Sequence, residues 1–316
     1  MTADAAPAIV VTGLSRSFAE RVAVDRLTFS VKVGELFGLV GPDGAGKTTT
    51  LRMLAGVLRP SAGDATVGTA SVVHDPEAVK HDVAYMPQRF GLYADLTVNE
   101  NISFYADLYR VPEAERPARL HRLFAFSNLG PFQDRLAGAL SGGMKQKLGL
   151  CCALIHQPSI LVLDEPIFGV DPVSRRDLWL IIHEMVGRGT TVVVSTSYMD
   201  EAERFDRIAL LHEGRLKAIN TPGNLQRSIK GEVLIVSTTD VRKARDLAPA
   251  LPGVRGATVF GDTLHILVDS AAARQPAIDN QLALAGCRIT GTRSSVPSME
   301  DVFIEYMSDA TRGYHA

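Results

Sequence analysis

The 316-residue chain has only three cysteines, Cys151, Cys152 and Cys287. An odd count with two neighbours adjacent is no disulfide framework, and reduced thiols in the cytosol are the simpler reading. No Cys/His spacing suits a metal. The net charge is −2, which gives no bulk electrostatic case for nucleic acid or an anionic membrane; a local basic patch stays open. No uncharged apolar run approaches the ~20 residues of a membrane-spanning helix. The opening Met1-Thr2-Ala3-Asp4 lacks the basic start and apolar stretch of a signal peptide. Long internal repeats, low-complexity segments and sustained heptads are missing as well. Hydrophobic residues are 46% and charged residues 22%, ordinary globular values in a chain long enough for two domains.

What is present is concentrated in Gly41-Pro-Asp-Gly-Ala-Gly-Lys-Thr-Thr49. This run fits the phosphate-loop pattern G-x-x-x-x-G-K-[ST], with Gly41, Gly46, Lys47 and Thr48 in the fixed places. An apolar run, Leu36 to Val40, precedes it as a strand. Leu51, Leu54, Ala55 and Leu58 follow at helical spacing, predicting a helix from Thr49 to Leu58. Glycines let the loop turn tightly and aim successive N–H groups at one point, and the helix start adds its positive dipole end. Asp43, Gly44, Ala45 and Thr49 complete the cradle. Lys47 is expected to reach β- and γ-phosphates, and the Thr48 hydroxyl to ligate Mg²⁺.

Two further segments carry chemistry. Ile160 to Leu163 is an apolar strand running into Asp164-Glu165-Pro166. There Asp164 suits water-mediated Mg²⁺ ligation and Glu165 can orient and deprotonate water. Ser141-Gly142-Gly143 is a hydroxyl and two glycines at a helix start, a second phosphate-shaped element; alone it is equally an ordinary turn.

Strands are expected at 9–11, 23–24 and 27–31, with the alternation of antiparallel pairing. Residues 88–157 read as mostly helical, with helices at 98–109, 114–126 and 142–156. Buried strands at 160–163 and 190–195 flank a helix at 174–187, which implies a largely parallel sheet. A hairpin at 208–216 closes this part. After a short helix at 224–228, residues 231–308 read strand, helix, two strands, helix, strand, helix, the order of a ferredoxin-like sandwich.

Together these motifs resemble the nucleotide-binding subunit of ABC transporters over residues 8–228, in matching order and spacing. Residues 41–49 are similar to the Walker A loop, 160–165 to Walker B and 140–144 to the signature sequence. Gln88 resembles the Q-loop glutamine, which the family uses at the metal and the attacking water. Asp171, in Gly169-Val170-Asp171-Pro172, resembles the D-loop aspartate. Phe18 is placed like the aromatic that stacks on adenine; a core position is the alternative. The fold implied is α/β: a P-loop ABC ATPase domain at 8–228 with mixed-sheet core, antiparallel subdomain and helical subdomain (about 88–157). A small C-terminal α+β domain at 229–308 and a tail at 309–316 follow. Thr97-Val98-Asn99-Glu100-Asn101 and Pro297-Ser298-Met299-Glu300-Asp301-Val302-Phe303 resemble drug-resistance ABC-2 exporters.

The resemblance implies ATP and Mg²⁺ as ligands, a multi-span membrane permease as partner, and a place on the cytoplasmic face of the cell membrane. A second ATP-binding subunit is implied too, an unlike one being favoured over a homodimer, with no nucleic acid. One position departs from the pattern. Ser197 stands where the family usually has a γ-phosphate histidine; none of the eight histidines lies between 184 and 211. Serine is shorter and carries no positive charge. The Ser-Tyr variation is similar to the first half of tandem two-ATPase exporter subunits. A substitution of little consequence is the alternative. A regulatory ATP-binding subunit with little hydrolysis, and a non-transport ABC protein, are the competing functions.

Overall fold

The computed structural model describes residues 6–312 and divides into two compact units, at Ile219/Asn220. The first begins with an antiparallel pair, β1 (Ile9–Phe18) and β2 (Arg21–Val31). The two strands expected at 23–24 and 27–31 are thus one. The break between them in the sequence pattern is a register shift next to Arg26, whose φ is +49° and whose N–H donates to Ser15 Oγ. β3 (Leu36–Val40) then leads through the phosphate loop into α1 (Lys47–Leu54). This helix stops short of the expected Leu58 because Gly56, at φ +66°, turns the chain out of it. β4 (Ala62–Val67), β5 (Ala70–Ser71), α2 (Pro76–Asp82) and β6 (Val83–Met86) follow, in a stretch that the sequence left unassigned.

The helical region holds α3 (Val98–Leu108), α4 (Arg116–Ser127) and α5 (Gly142–Leu154). Thr97 and Glu100 form a reciprocal capping box at the start of α3. β7 (Ile160–Asp164), α6 (Pro172–Gly187), β8 (Thr191–Thr196), β9 (Arg207–His212) and β10 (Arg215–Asn220) complete the first unit's elements. α6 begins two positions before the expected Ser174. Asp171 caps it by accepting the N–H groups of Val173 at 3.1 Å and Ser174 at 2.9 Å, and Pro172 takes the first turn, where a missing N–H costs nothing.

The main sheet has the order β10-β9-β3-β8-β7-β6, with parallel pairing from β9 to β6. β3, β7 and β8 are buried along their whole lengths, which is why they read as continuous Val/Leu/Ile runs rather than as alternation. The second sheet, β2-β1-β4-β5, is antiparallel. Ile9, Leu14, Leu27, Phe37, Leu39, Leu51 and Leu54 belong to one continuous core that joins the two sheets through α1. The parallel arrangement puts the ends of β3, β7 and β8, and the loops after them, on one edge. Parallel sheets of this kind bind ligands outside that carboxyl edge.

The second unit contains α7 (Pro222–Ser228), β11 (Glu232–Thr238), α8 (Val241–Leu247), β12 (Val254–Phe260), β13 (Thr263–Val268), α9 (Ala271–Leu284), β14 (Ile289–Ser295) and α10 (Met299–Arg312). The sequence reading ended the first domain after α7, at 228; the compact units divide before it. Strand order β12-β13-β11-β14, with antiparallel pairing, is the ferredoxin-like arrangement. Leu234, Val236, Leu264, Ile266, Ile278 and Leu282 form its core. Of the tail expected at 309–316, residues 309–312 continue the backbone of α10, and 313–316 lie outside the described residues.

A side-chain hydrogen-bond network pins α10 to β13. His265 Nδ1 lies 3.1 Å from both Asp301 oxygens, and Ser298 donates its N–H and hydroxyl to Asp301 Oδ2 at 2.8 Å. Burial pushes the Asp301 carboxyl up, but the His265 and Ser298 hydrogen bonds outweigh it and hold it below the ordinary value. A carboxyl depressed in the folded state adds stability above its unfolded pKa, about 4, and loses it as pH falls through the folded value. Asp301→Asn should therefore cost about 1–2 kcal/mol at neutral pH. The difference from wild type should shrink in melts recorded as the pH falls below the ordinary carboxylate range.

Candidate functional site

The phosphate loop is shaped by two contacts that exclude any side chain. A Cβ on Gly41 would collide with the Leu211 carbonyl, and one on Gly46, at φ +99°, would lie 2.6 Å from the Ala23 carbonyl. β9 and β2 therefore press the loop into place from two sides. Within it, Ala45 N–H donates to Pro42 O at 3.1 Å, and the Ala45 carbonyl accepts the Gly214 N–H at 3.1 Å.

Lys47, at the first position of α1, is 4% exposed. Its Nζ donates to the carbonyls of Gly41 at 2.8 Å and Pro42 at 3.1 Å, and pairs with Glu165 Oε1 at 3.1 Å. A buried ammonium needs such an acceptor set, and it is held where an anion in the loop would meet it. Next in the chain, Thr48 Oγ1 donates to Asp164 Oδ1 at 3.0 Å. Tyr85 OH, from β6, approaches Asp164 Oδ2 at 3.4 Å. Burial first, and the Asp164 charge second, push the Tyr85 phenol up to about 12, so it stays a neutral donor. Gln88 Nε2 lies 3.4 Å from Glu165 Oε2.

Phe18, Asp43, Gly44, Ala45, Gly46, Lys47, Thr48, Thr49, Gln88 and Glu165 line one open cavity of about 540 Å³, with Arg21, Ala23 and Phe168. Phe18 is 46% exposed and so is not a core residue; Arg16 covers one face of its ring at 4.7 Å. Gly41 and Asp164 support this cavity through Lys47 and Thr48. Ser141, Gly142, Gly143 and Asp171 do not line it. They form a separate cluster, in which Ser141 caps α5 by accepting the Met144 N–H at 3.3 Å and Gly143 is packed against Ser174 and Asp171. Ser197 is half-buried directly after β8 and is not among the residues lining the cavity.

The oxygens of Thr48 and Asp164 and the amide of Gln88 are hard donors of the kind Mg²⁺ takes. Among the described residues no group of three His, Cys, Asp or Glu could hold a metal alone. The set fits an ion that arrives with its phosphates, because Mg²⁺ at such sites keeps only one or two protein ligands. The volume, the loop amides and the buried cation fit a nucleoside triphosphate with that ion.

Sequence reasoning passed over several residues here. Arg21 and Phe168 line the cavity without belonging to a motif. Ser195 bonds to Asp164 from the end of the Val192–Val194 run; a hydroxyl in a strand buried on both faces demands a partner, and that was its available signal. Glu201 is buried after β8. It accepts Trp179 Nε1–H at 3.1 Å, and burial pushes its carboxyl above the ordinary value. It also stands 3.5 Å from Thr196 Oγ1, which accepts the Tyr198 N–H. Glu201 thereby holds the turn that carries Ser197.

Comparison with known proteins places this geometry in a family. The ABC transporter family model matches residues 24–168, and the model of the DrrA1-3-like ATP-binding protein C-terminal domain matches residues 221–307. The chain belongs to the ABC-transporter ATP-binding proteins. The "probable multidrug ABC transporter ATP-binding protein YbhF" of Escherichia coli K12 is 41% identical over 306 residues, covering 96% of this chain and 52% of that protein. The "daunorubicin/doxorubicin resistance ATP-binding protein DrrA" of Streptomyces peucetius is 36% identical over 257 residues, covering 81% of this chain and 78% of that protein. The chain thus spans about half the length of YbhF. A solved ATP-binding subunit of an ABC transporter superposes with a TM-score of 0.64 at 32% identity, covering 70% of this chain and 92% of that one.

Proposed function

We propose that the chain binds and hydrolyses Mg-ATP to power a membrane exporter, as one member of an ATP-sandwich dimer. The observation that carries the reading is the convergence of Lys47, Thr48, Gln88 and Glu165 on one cavity, with Asp164 tied to Thr48 behind it. The loop amides and Lys47 bind the phosphates. Thr48 and Asp164 hold the metal side, where Mg²⁺ supplies charge neutralisation for the β- and γ-oxygens. Phe18 offers its exposed ring to adenine. Glu165 accepts the proton of the attacking water, and Gln88, at its second oxygen, orients it.

Ser141, Gly142, Gly143 and Asp171 do not line the chain's own cavity. That separation supports a role for them at the nucleotide of a second ATP-binding subunit. The naming of relatives for multidrug transport, drug resistance and Nod factor export supports an exporter. Among the described residues no helix is long and apolar enough to cross a membrane, so the reading assigns the passage to a separate permease. That permease would dock at the cytoplasmic face of the cell membrane, near the helical region at Gln88.

Ser197 favours an unlike partner. Losing one positioned polar group at a phosphoryl-transfer site raises the barrier by roughly 2–4 kcal/mol, by analogy with oxyanion-hole deletions. The chain's own site is then the slower one, while Ser141 completes a faster site on a histidine-bearing partner. Purified alone, the chain should turn over ATP weakly, and Ser197→His should raise the rate. Mixing with a histidine-bearing partner should give activity that Ser141→Ala abolishes. Brisk hydrolysis by the isolated chain, unchanged by Ser197→His, overturns the unlike pair. Failure to co-purify with any multi-span membrane protein counts against the exporter. The same serine favours a second reading, a regulatory subunit that binds ATP and barely hydrolyses it; persistent inactivity of Ser197→His alone and in the mixture would select it.

A further inference from the structure

β8 reads Thr-Val-Val-Val-Ser-Thr, and Ser195 has no exposed surface. In the parallel register it lies beside Asp164 at the end of β7. Its hydroxyl donates to Asp164 Oδ1 at 2.7 Å and accepts the Glu165 N–H at 2.9 Å. One side chain thus bonds two successive residues, one on the metal side of the site and the other its base. Glu165 needs the bond, because its φ of +47° is a conformation that a non-glycine residue rarely keeps without support from its surroundings. Asp164 takes a second hydroxyl on the same oxygen, from Thr48, and a third on the other oxygen, from Tyr85. Of these three hydroxyls, Ser195 alone also bonds Glu165.

We propose that Ser195 is a positioning residue for phosphoryl transfer: it fixes the orientation of the Asp164 carboxylate and locks the Glu165 backbone in its left-handed turn. The two carboxylates then face the phosphate loop in one fixed relation. The role rests on the ATPase reading above and differs from that of Ser197, since Ser195 reaches the chemistry through Asp164 and Glu165. The chemistry of a hydroxyl is required, because it donates to the carboxylate and accepts from the amide at once. Alanine leaves a buried N–H unpaired and lets both carboxylates reorient. A displacement on the order of 1 Å at a reacting group costs up to about 100-fold in rate.

The test uses the full chain with Ser195→Ala and Ser195→Thr. ATP binding is measured by calorimetry in EDTA and in Mg²⁺, alongside kcat, KM and Tm. The alanine variant should bind ATP in EDTA within about 2-fold of wild type, because the loop and Lys47 are untouched. Its gain in affinity on adding Mg²⁺ should shrink, and kcat should fall roughly 10- to 100-fold with little change in KM. Threonine, which keeps the hydroxyl, should recover most of both effects. If Ser195→Ala does not fold, the near-isosteric Ser195→Cys is read in the same assays and should show the same pattern more weakly. An alanine variant with wild-type kcat and Mg²⁺ gain overturns the proposal. So does an equal loss of binding in EDTA and in Mg²⁺, the mark of a merely structural role. Should wild type itself bind no ATP in either buffer, the ATPase reading fails, and the positioning role with it.

Discussion

Lys47→Ala should weaken Mg-ATP binding by roughly 10- to 100-fold, the worth of one charge-assisted contact in a buried loop. In the structure the Lys47 ammonium is surrounded by acceptors: two loop carbonyls and Glu165 Oε1. A phosphate entering the loop exchanges one anionic neighbour of Lys47 for another, so the ammonium is desolvated before the nucleotide arrives. Truncation removes the phosphate contact and also leaves Glu165 as a buried carboxylate without its cation, which adds repulsion toward the triphosphate. Calorimetry with Mg-ATP measures the loss. An unchanged dissociation constant would remove the phosphate-loop assignment altogether. A loss of folding is distinguished by the melting temperature, and Lys47→Met, which keeps the apolar stem, is the control.

Glu165→Gln should separate binding from turnover. The amide keeps the shape of the side chain and can still accept from Gln88, but it has no basic oxygen for the proton of water. Hydrolysis should drop on the order of 100- to 10,000-fold, with ATP affinity held within a few-fold. Because ATP then persists at the interface, the variant should accumulate as a dimer in ATP and return to the free chain when ATP is withdrawn. Turnover of ATP at the wild-type rate would show that Glu165 is not the base. Light scattering with and without ATP reads the association independently of activity.

Much of the fold was legible because its physics is local. The strands that became β3, β7 and β8 announce themselves as apolar runs, since strands covered on both faces have no polar side to alternate with. The order of elements after 231 was enough to give the ferredoxin-like unit, in which only the β12–β13 pair follows from a short connection, Gly261-Asp262. Boundaries were less legible. α6 starts at Pro172 because Asp171 caps it, and the first unit ends before α7 because of contacts that no window of sequence contains. The stretch from β4 to β6 has short elements with weak periodicity, and it acquires its strands only by pairing with β1 and β7.

The sequence by itself determined the glycine-rich loop, the order of the motifs and the family they belong to. Those follow from residue types at fixed spacing, and a glycine-rich turn before a helix needs nothing distant to be recognised. Tertiary structure alone decided which residues meet. It placed Asp164 against Thr48, Glu165 against Lys47 and Gln88, and Gly143 against Ser174 and Asp171. It also disclosed Ser195 as the hydroxyl joining two carboxylate residues. The physical reason is the parallel register of β7 and β8, set by hydrogen bonds between segments some thirty positions apart in the chain, which no local pattern encodes.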